Sequence, residues 1–551
     1  MSNPFLSPIL ARHRVAPDSL YGTFFNGEVW EQVSLGRFIG RAWAYAAAMA
    51  AVGTRSGDIV CLVLRHGWDA EAAFIGTMLA NAVPSFLPYP NIKQDAHLYW
   101  RQHRLVFETV LPRLVIVYDE LHDAIFDCLN GLDTAVMSSG VVADTSKVPD
   151  FLLPAPNAVA LLQHSSGTTG IKKGIALSYT AICRQLDAYA ATLCLTSESN
   201  HVIGTWLPFY HDMGLITSFL LPLHLGLPVA ALDPFDWTAE PGLLLDAIQD
   251  LGVTHAWMPN FAFLHTARRT PRRQTWRLGG LVALINCSEP CKPQAFDAFV
   301  ARFAPDGVRP EMLQTCYAMA ETVFAVSQSH PGVPVRRLTV SRAAIQSGDR
   351  IAPPSGDEAA IVLLSNGRPI PGCQVRILAD TAEEGRIGEI AVTAPFLFKG
   401  YHNSQAATAH AFMGGWFRTG DIGFIDDGEV YIVGRLKDVI CVNGRNIAAH
   451  DAEAAASSVP GIKPGRTVAF GTYSSDTGSE QLIVIAESDA DATEAIRLAD
   501  EVYRAVREET GIACRVVRIV VPGWLIKTTS GKMSRYDNQR KYDDILAGER
   551  T

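Results

Sequence analysis

The stretch that most constrains this chain is Gln163-His164-Ser165-Ser166-Gly167-Thr168-Thr169-Gly170-Ile171-Lys172-Lys173-Gly174. Residues 159–162 form an apolar run that reads as a buried strand, and residues 179–195 are amphipathic and read as a helix. Between them lie three glycines, four hydroxyl residues and two lysines. Glycine lets backbone N–H groups approach a ligand closely, hydroxyls donate hydrogen bonds, and lysine brings positive charge. Such a loop can hold a polyphosphate. A plain surface turn is the competing reading. The loop is not Gly-x-x-x-x-Gly-Lys-Ser/Thr, and no G-x-G-x-x-G follows a strand anywhere in the chain.

A length of 551 residues implies several domains or subdomains. A hydrophobic content of 48% with 19% charged residues fits a globular protein with a large core. The formal charge of −9 argues against a nucleic-acid-binding surface. The ten cysteines are scattered without a C-x-x-C pair, and Cys287 with Cys291 is poor evidence for zinc. Reduced thiols in a cytoplasmic enzyme are expected. The first fifteen residues lack a signal-peptide pattern. The most apolar segment, residues 215–232, is broken by Pro222, Gly226 and Pro228. It reads as a buried helix followed by a strand, without stable membrane insertion.

Residues 35–52 read as a packed helix, 59–64 as a strand, 69–82 as a helix and 83–87 as a strand, which argues for an α/β layer with parallel strands. Residues 281–285 and 515–521 read as strands, and 348–358 as an exposed loop. In the last hundred residues Ala495, Leu498, Ala499, Val502, Tyr503 and Val506 recur at helical spacing, with Gly511 as the stop.

Seven further patterns follow the loop in order. Trp206-Leu207-Pro208-Phe209-Tyr210-His211-Asp212-Met213-Gly214-Leu215 places a histidine that could donate to a developing negative charge. Residues 254–263 are aromatic-rich and end Pro259-Asn260-Phe261-Ala262-Phe263. Asn286-Cys287-Ser288-Glu289 follows a strand. Tyr317-Ala318-Met319-Ala320-Glu321 joins a tyrosine that can stack on a base to a carboxylate that can ligate Mg²⁺. Trp416-Phe417-Arg418-Thr419-Gly420-Asp421 and Gly434-Arg435-Leu436-Lys437-Asp438 come next, then Lys527-Thr528-Thr529-Ser530-Gly531-Lys532 near the end. Taken singly, each is as readily a core residue, a turn or a solvated tail.

Together they resemble the adenylate-forming superfamily of acyl-CoA synthetases, peptide-synthetase adenylation domains and luciferases. The likeness runs over nearly the whole chain and is nearest to the fatty acyl-AMP ligase branch, whose Trp-Leu-Pro-x-Tyr-His-Asp-Met-Gly-Leu form is matched almost residue for residue. The resemblance implies an α/β fold. A large N-terminal domain of several subdomains, with mixed sheets and packed helices, would span residues 1–436. A small mobile α+β C-terminal domain would span 437–551 and pivot at Lys437. It implies ATP and Mg²⁺, a hydrophobic carboxylic acid, and an acyl carrier protein as acceptor.

By that resemblance Ser165, Ser166, Gly167, Thr168, Thr169, Gly170 and Lys173 hold phosphates, and Ser288, Glu289, Tyr317, Ala318, Met319 and Ala320 surround adenine. Asp421 binds the ribose, Arg435 the nucleotide, and Glu321 the metal. His211 lies by the acyl carboxylate; Trp206, Met213, Asn260 and Phe261 line the acyl pocket; Lys532 is the catalytic lysine. Residues 333–364 are similar to the branch's insertion, thought to disfavour the CoA-accepting domain arrangement, and Asn443-Gly444-Arg445-Asn446 is also similar to that branch. The chain departs from the pattern at Lys172 and Ile526, where proline is usual, at Tyr179, where histidine is frequent, and at Cys287, where glycine is common and a larger side chain would narrow the base pocket. The alternatives are an acyl-CoA synthetase and a nucleotide-binding protein that has lost catalysis.

Overall fold

The computed structural model describes residues 2–90, 96–143, 152–164, 173–271, 274–379, 384–443, 445–474, 479–527 and 533–549. Residues 165–172 and 528–532, which include most of the expected phosphate loop and Lys532, lie outside them.

Two layers form the first two-thirds of the chain. A four-stranded, wholly parallel sheet runs in the order Val83–Phe86, Ile59–Val63, Leu114–Val117, Ala135–Ser138. Every residue of the first three strands is buried, as both faces of a parallel sheet must be. The helix Leu35–Ala51 is capped by the Ser34 hydroxyl, and Trp68–Leu79 lies against it. Gly76 fixes how closely they meet, because a Cβ there would sit 2.5 Å from the Ala42 carbonyl oxygen.

The second layer is a nine-stranded sheet whose centre is parallel and whose edges are antiparallel. Its middle runs Leu313–Ala318, Ala283–Asn286, His255–Met258, Ile203–Thr205, Val229–Ala231. The apolar segment at 215–232 becomes a π-wound turn at Met213–Leu220, a helix at Leu221–Leu225 and the strand Val229–Ala231. Gly226 ends the helix at φ 77°, a left-handed position glycine takes without strain. Among the described residues no helix is long and apolar enough to cross a membrane.

The strand Val159–His164 does not lead directly into a helix. It returns antiparallel as Gly174–Ser178, and only then does the helix Tyr179–Thr192 begin, capped by Ser178. The returning strand is buried at all five positions, so it lacks the alternation that marks a strand in sequence. The edge strand Gly400–Tyr401 completes this sheet against Gly174–Ser178.

An antiparallel sheet built on Gln374–Leu378, Gly388–Thr393, Trp416–Asp426 and Glu429–Arg435 follows. The large hydrophobic core extends to Val430, and a separate one begins at Ile440. The second core packs the helices Ala449–Ser457 and Ala492–Thr510 on the three-stranded sheet Thr467–Ser474, Ser479–Glu487, Val516–Val520. Gly511 caps the long helix at φ 68°. The segment similar to an insertion is a two-stranded unit, Arg337–Ser341 against Ala360–Leu364, with the helix Arg342–Ser347 and a mostly exposed loop at 348–358 between them.

One buried carboxyl in the first layer gives a pH test of this packing. Glu71 is fully buried, accepts a 2.7 Å hydrogen bond from the Tyr21 hydroxyl, and is pushed up to about 8, chiefly by burial. A carboxyl whose folded value lies above its unfolded one keeps its proton longer in the folded state, so its contribution to stability falls as pH rises between about 4.5 and 8. Glu71→Gln does not titrate and still offers Tyr21 an oxygen. Its stability relative to wild type should grow by up to about 1.4 kcal/mol per pH unit across that window. Urea unfolding at several pH values measures this, and parallel pH profiles would show that Glu71 is ionised in the folded protein.

Candidate active site

The assigned residues gather at the carboxyl ends of the parallel strands, the usual place for a ligand on such a sheet. Trp206 follows the strand Ile203–Thr205, Asn260 follows His255–Met258, the 287–289 loop follows Ala283–Asn286, and Tyr317 ends Leu313–Ala318. Trp206, Asn260 and the 287–289 loop sit where the backbone has just left its ladder, while Tyr317 is still paired with Ser327 of the neighbouring strand.

Three assigned nucleotide residues meet in one hydrogen-bonded group. The Tyr317 hydroxyl donates to Asp421 Oδ2 at 2.7 Å, and Arg435 Nε donates to Oδ1 at 2.8 Å. Asp421 and Arg435 are cross-strand partners, which sets their approach. The carboxylate is 5% exposed, whereas the arginine side chain is half-exposed. Burial and the adjoining carboxylate push the Tyr317 phenol far up, so it remains a donor. Asp421 holds the guanidinium firmly charged.

Glu321 lies in the turn Ala320–Thr322 and accepts 2.9 Å from the Tyr401 hydroxyl. Burial raises its carboxyl above the ordinary range, with Asp212 adding to the rise and Tyr401 and Arg435 opposing it. Just beyond, Val323 stands at φ 67°, a left-handed position a β-branched residue seldom takes; strain of this kind gathers at functional turns. Met319 and Ala320 are buried at the base of the turn, and Ala318 ends the strand. Lys173, exposed at the edge of the described loop, carries its ammonium 4.6 Å from the centre of the Tyr401 ring.

His211 and Asp212 lie on a turn that must be tight. A Cβ on Gly214 would come 2.5 Å from the Pro208 carbonyl oxygen, so the glycine is a steric requirement of the motif. The Asp212 carboxylate caps Met213 N at 2.9 Å. His211 is partly buried beside Tyr210.

Trp206 is buried and stacks on Trp237 at 3.6 Å with the rings 4° from parallel; Phe261 stands edge-on to both. Trp237, on the helix Pro234–Ala239, carried no signal beyond being aromatic. Met213 is buried, with the Ser288 hydroxyl 3.9 Å from its sulfur. Asn260 is engaged within the protein: its Oδ1 accepts from Asn286 Nδ2 and Lys292 N at 2.9 and 3.0 Å. Glu289 Oε2 likewise accepts from Phe261 N at 3.1 Å. Cys287 belongs to the hydrophobic core. Its side chain is wholly buried against the Cys316 thiol, and the left-handed position in this loop falls on Ser288, at φ 69°.

Lys437 is exposed in the short turn Leu436–Asp438 that joins the two cores. Around it the parts are tied by charge. Lys292 reaches Asp451 at 2.7 Å, and Arg342 reaches Glu509 at 3.3 Å. Gln346 donates to the Thr510 carbonyl at 2.8 Å and accepts from Arg445 at 2.7 Å. Within the C-terminal part itself, Arg535 joins Asp438 and Glu453 at 2.7 and 2.6 Å.

The AMP-binding enzyme family matches residues 16–402. The chain belongs to that family. It is 30% identical to the medium-chain-fatty-acid–[acyl-carrier-protein] ligase JamA of Moorena producens over 69% of this chain and 67% of that protein. It is 28% identical to the putative fatty-acid–CoA ligase fadD25 of Mycobacterium tuberculosis over 87% of this chain and 86% of the other. Among solved structures, a fatty acyl-adenylate ligase from the study of the E. coli and L. pneumophila enzymes superposes with a TM-score of 0.88 at 23% identity, covering 98% of both chains. The L. pneumophila fatty acyl-adenylate ligase in complex with acyl adenylate and pyrophosphate superposes at 0.74 with 25% identity, covering 97% of this chain and 95% of that one. The AMP-binding chain is thus a ligase of the adenylate-forming class, with a large N-terminal and a small C-terminal domain, and enzymes of this class use ATP.

Tyr317→Phe keeps the ring and deletes the donor to Asp421. AMP affinity should fall about tenfold, the size of one hydrogen bond to a charged group. Calorimetric titration with AMP checks this, and an unchanged affinity would remove the Tyr317–Asp421 pair from nucleotide binding.

Proposed function

We propose that this AMP-binding enzyme activates a hydrophobic carboxylic acid as its acyl-adenylate and passes the acyl group to a carrier-protein thiol. The supporting observation is the closeness of the Tyr317–Asp421–Arg435 group to the Glu321–Tyr401–Lys173 group, in which the Glu321 carboxyl feels the Arg435 charge.

The acid's carboxylate attacks the α-phosphorus of ATP, pyrophosphate leaves, and the mixed anhydride remains. Two anions must meet, and unit charges at about 4 Å repel by roughly 4 kcal/mol at an effective dielectric near 20. Positive groups therefore carry the catalysis. Lys173 and the 165–170 loop hold the departing phosphates, Arg435 steadies the nucleotide, and Asp421 accepts from the ribose hydroxyls. His211 donates toward the carboxylate. Lys532 bridges carboxylate and α-phosphate from the C-terminal domain, residues 437–551, and rotation at Lys437 withdraws it to admit the thiol. The stacked Trp206–Trp237 pair with Phe261 and Met213 offers an apolar wall for the acyl group.

The residues fit magnesium as this class uses it. Mg²⁺ binds through one or two carboxylates together with substrate phosphates, and Glu321, with Asp212 nearby, is such a donor set. Among the described residues there is no closed cluster of three metal-binding side chains. When bound, the ion supplies charge neutralisation at the phosphates.

The carrier protein is preferred as acceptor because the 333–364 unit is fastened to the C-terminal domain through Arg342, Gln346, Arg445 and Glu509. JamA, by its name, acts on a carrier protein. The CoA reading is favoured by the putative fatty-acid–CoA ligases among the relatives.

Mass spectrometry of products from ATP, Mg²⁺ and a panel of carboxylic acids, with and without CoA, should show acyl-AMP accumulating while CoA stays unacylated. Rapid acyl-CoA formation would overturn the choice of acceptor and keep the adenylation step. In the same assay Lys532→Ala should lose adenylate formation by at least about a hundredfold, the scale of one well-placed electrostatic group, while still binding ATP.

A further inference from the structure

Tyr401 stands between two charges that the adenylation reading uses separately. Its hydroxyl donates to Glu321 Oε1 at 2.9 Å, and its ring face lies 4.6 Å below the Lys173 ammonium. One side chain thereby touches the carboxylate assigned to the metal and the lysine assigned to the phosphates.

The backbone around it is fastened to both partners. Phe398 N donates to the Glu321 carbonyl at 2.8 Å. Lys399 N donates to Ala176 O at 2.9 Å and His402 N to Gly174 O at 2.7 Å, so the segment is laced to the strand that leaves the phosphate loop. Tyr401 itself is paired with Ile175, and its N–H is also bonded to the Thr408 hydroxyl at 2.9 Å. Phe398 packs edge-on against the ring at 4.9 Å, which fixes its plane. A phenol held this way has little freedom to turn. Its O–H must point at the carboxylate while its face is presented to the ammonium.

We propose that Tyr401 is a positioning residue that sets the spacing between Glu321 and Lys173, so that the metal and the β- and γ-phosphates of ATP are gripped as one unit. The proposal rests on the adenylation reading for the roles of those two residues. It separates the triphosphate grip from the AMP grip, because the Tyr317–Asp421–Arg435 group makes no use of Tyr401.

The test uses the full-length protein and two variants. Tyr401→Phe keeps the ring under Lys173 and deletes the hydroxyl; Tyr401→Leu removes both. Equilibrium binding of AMP, of ATP without metal and of Mn²⁺–ATP is measured, the last by electron paramagnetic resonance of the bound ion. Tyr401→Phe should weaken Mn²⁺–ATP about tenfold while leaving metal-free ATP and AMP at wild-type affinity. Tyr401→Leu should in addition weaken metal-free ATP about threefold, the size of an exposed cation–π contact, again without change in AMP. In turnover the loss in both variants should appear mainly as a raised KM for Mg²⁺–ATP. Wild-type Mn²⁺–ATP affinity in Tyr401→Phe, or an AMP affinity that falls in step with ATP, overturns the proposal; the second outcome would mean a general structural role. A wild-type protein that binds neither AMP nor ATP would overturn the adenylation reading first, and the proposal with it.

Discussion

The site depends first on a carboxylate that is almost out of water. Asp421 comes from the antiparallel sheet, as does Arg435 beside it, whereas Tyr317 comes from the end of a parallel strand in the nine-stranded sheet. A buried ionised carboxylate is costly unless charge and hydrogen bonds compensate it, and here one arginine and one phenol do so from opposite sides. The same bonds hold two subdomains in register. Anything that moves the Trp416–Asp426 strand moves this carboxylate with it. The tight Gly423 position, where a Cβ would meet the Tyr431 carbonyl oxygen at 2.2 Å, shows how little slack that strand has.

Much of this was legible in the sequence because the informative residues are those whose chemistry is costly elsewhere. Gly511 has a duty as helix stop that the preceding helical spacing announces, and the helix Ala492–Thr510 shows its buried face in Leu498, Val502 and Val506. Element ends were also close, since Ser34, Ser178 and Asp491 are side-chain caps. The parallel layer followed from the alternation of apolar runs.

What the sequence withheld is tertiary. Gly174–Ser178 is a strand only because partners lie on both of its edges, and five buried residues show no period to read. Asn260 and Glu289 look like ligand-facing polar residues, yet each spends an oxygen on a backbone N–H of the Asn260–Arg269 helix or of the segment beside it. Cys287 looks like a bulky replacement in a base pocket and is in fact a core residue, because the left-handed turn falls one position later, on Ser288. Trp237 and Tyr401 belong to the site through partners 31 and 80 residues away, Trp206 and Glu321, and no local pattern reports such pairings.

The charge arrangement between the two cores completes the picture. The chain is acidic overall, so its cations at the domain junction are placed, not surplus. Lys292, Arg342 and Arg445 each meet a partner across the junction, and the exposed turn at Leu436–Asp438 is the covalent link beside them. Partly exposed ion pairs contribute little each, about 1 kcal/mol or less, and are screened by salt. Two such pairs, with the hydrogen bonds of Gln346, favour one arrangement without holding it strongly. On the proposed mechanism, such a weak hold suits a domain that brings a lysine to one chemical step and withdraws it for the next.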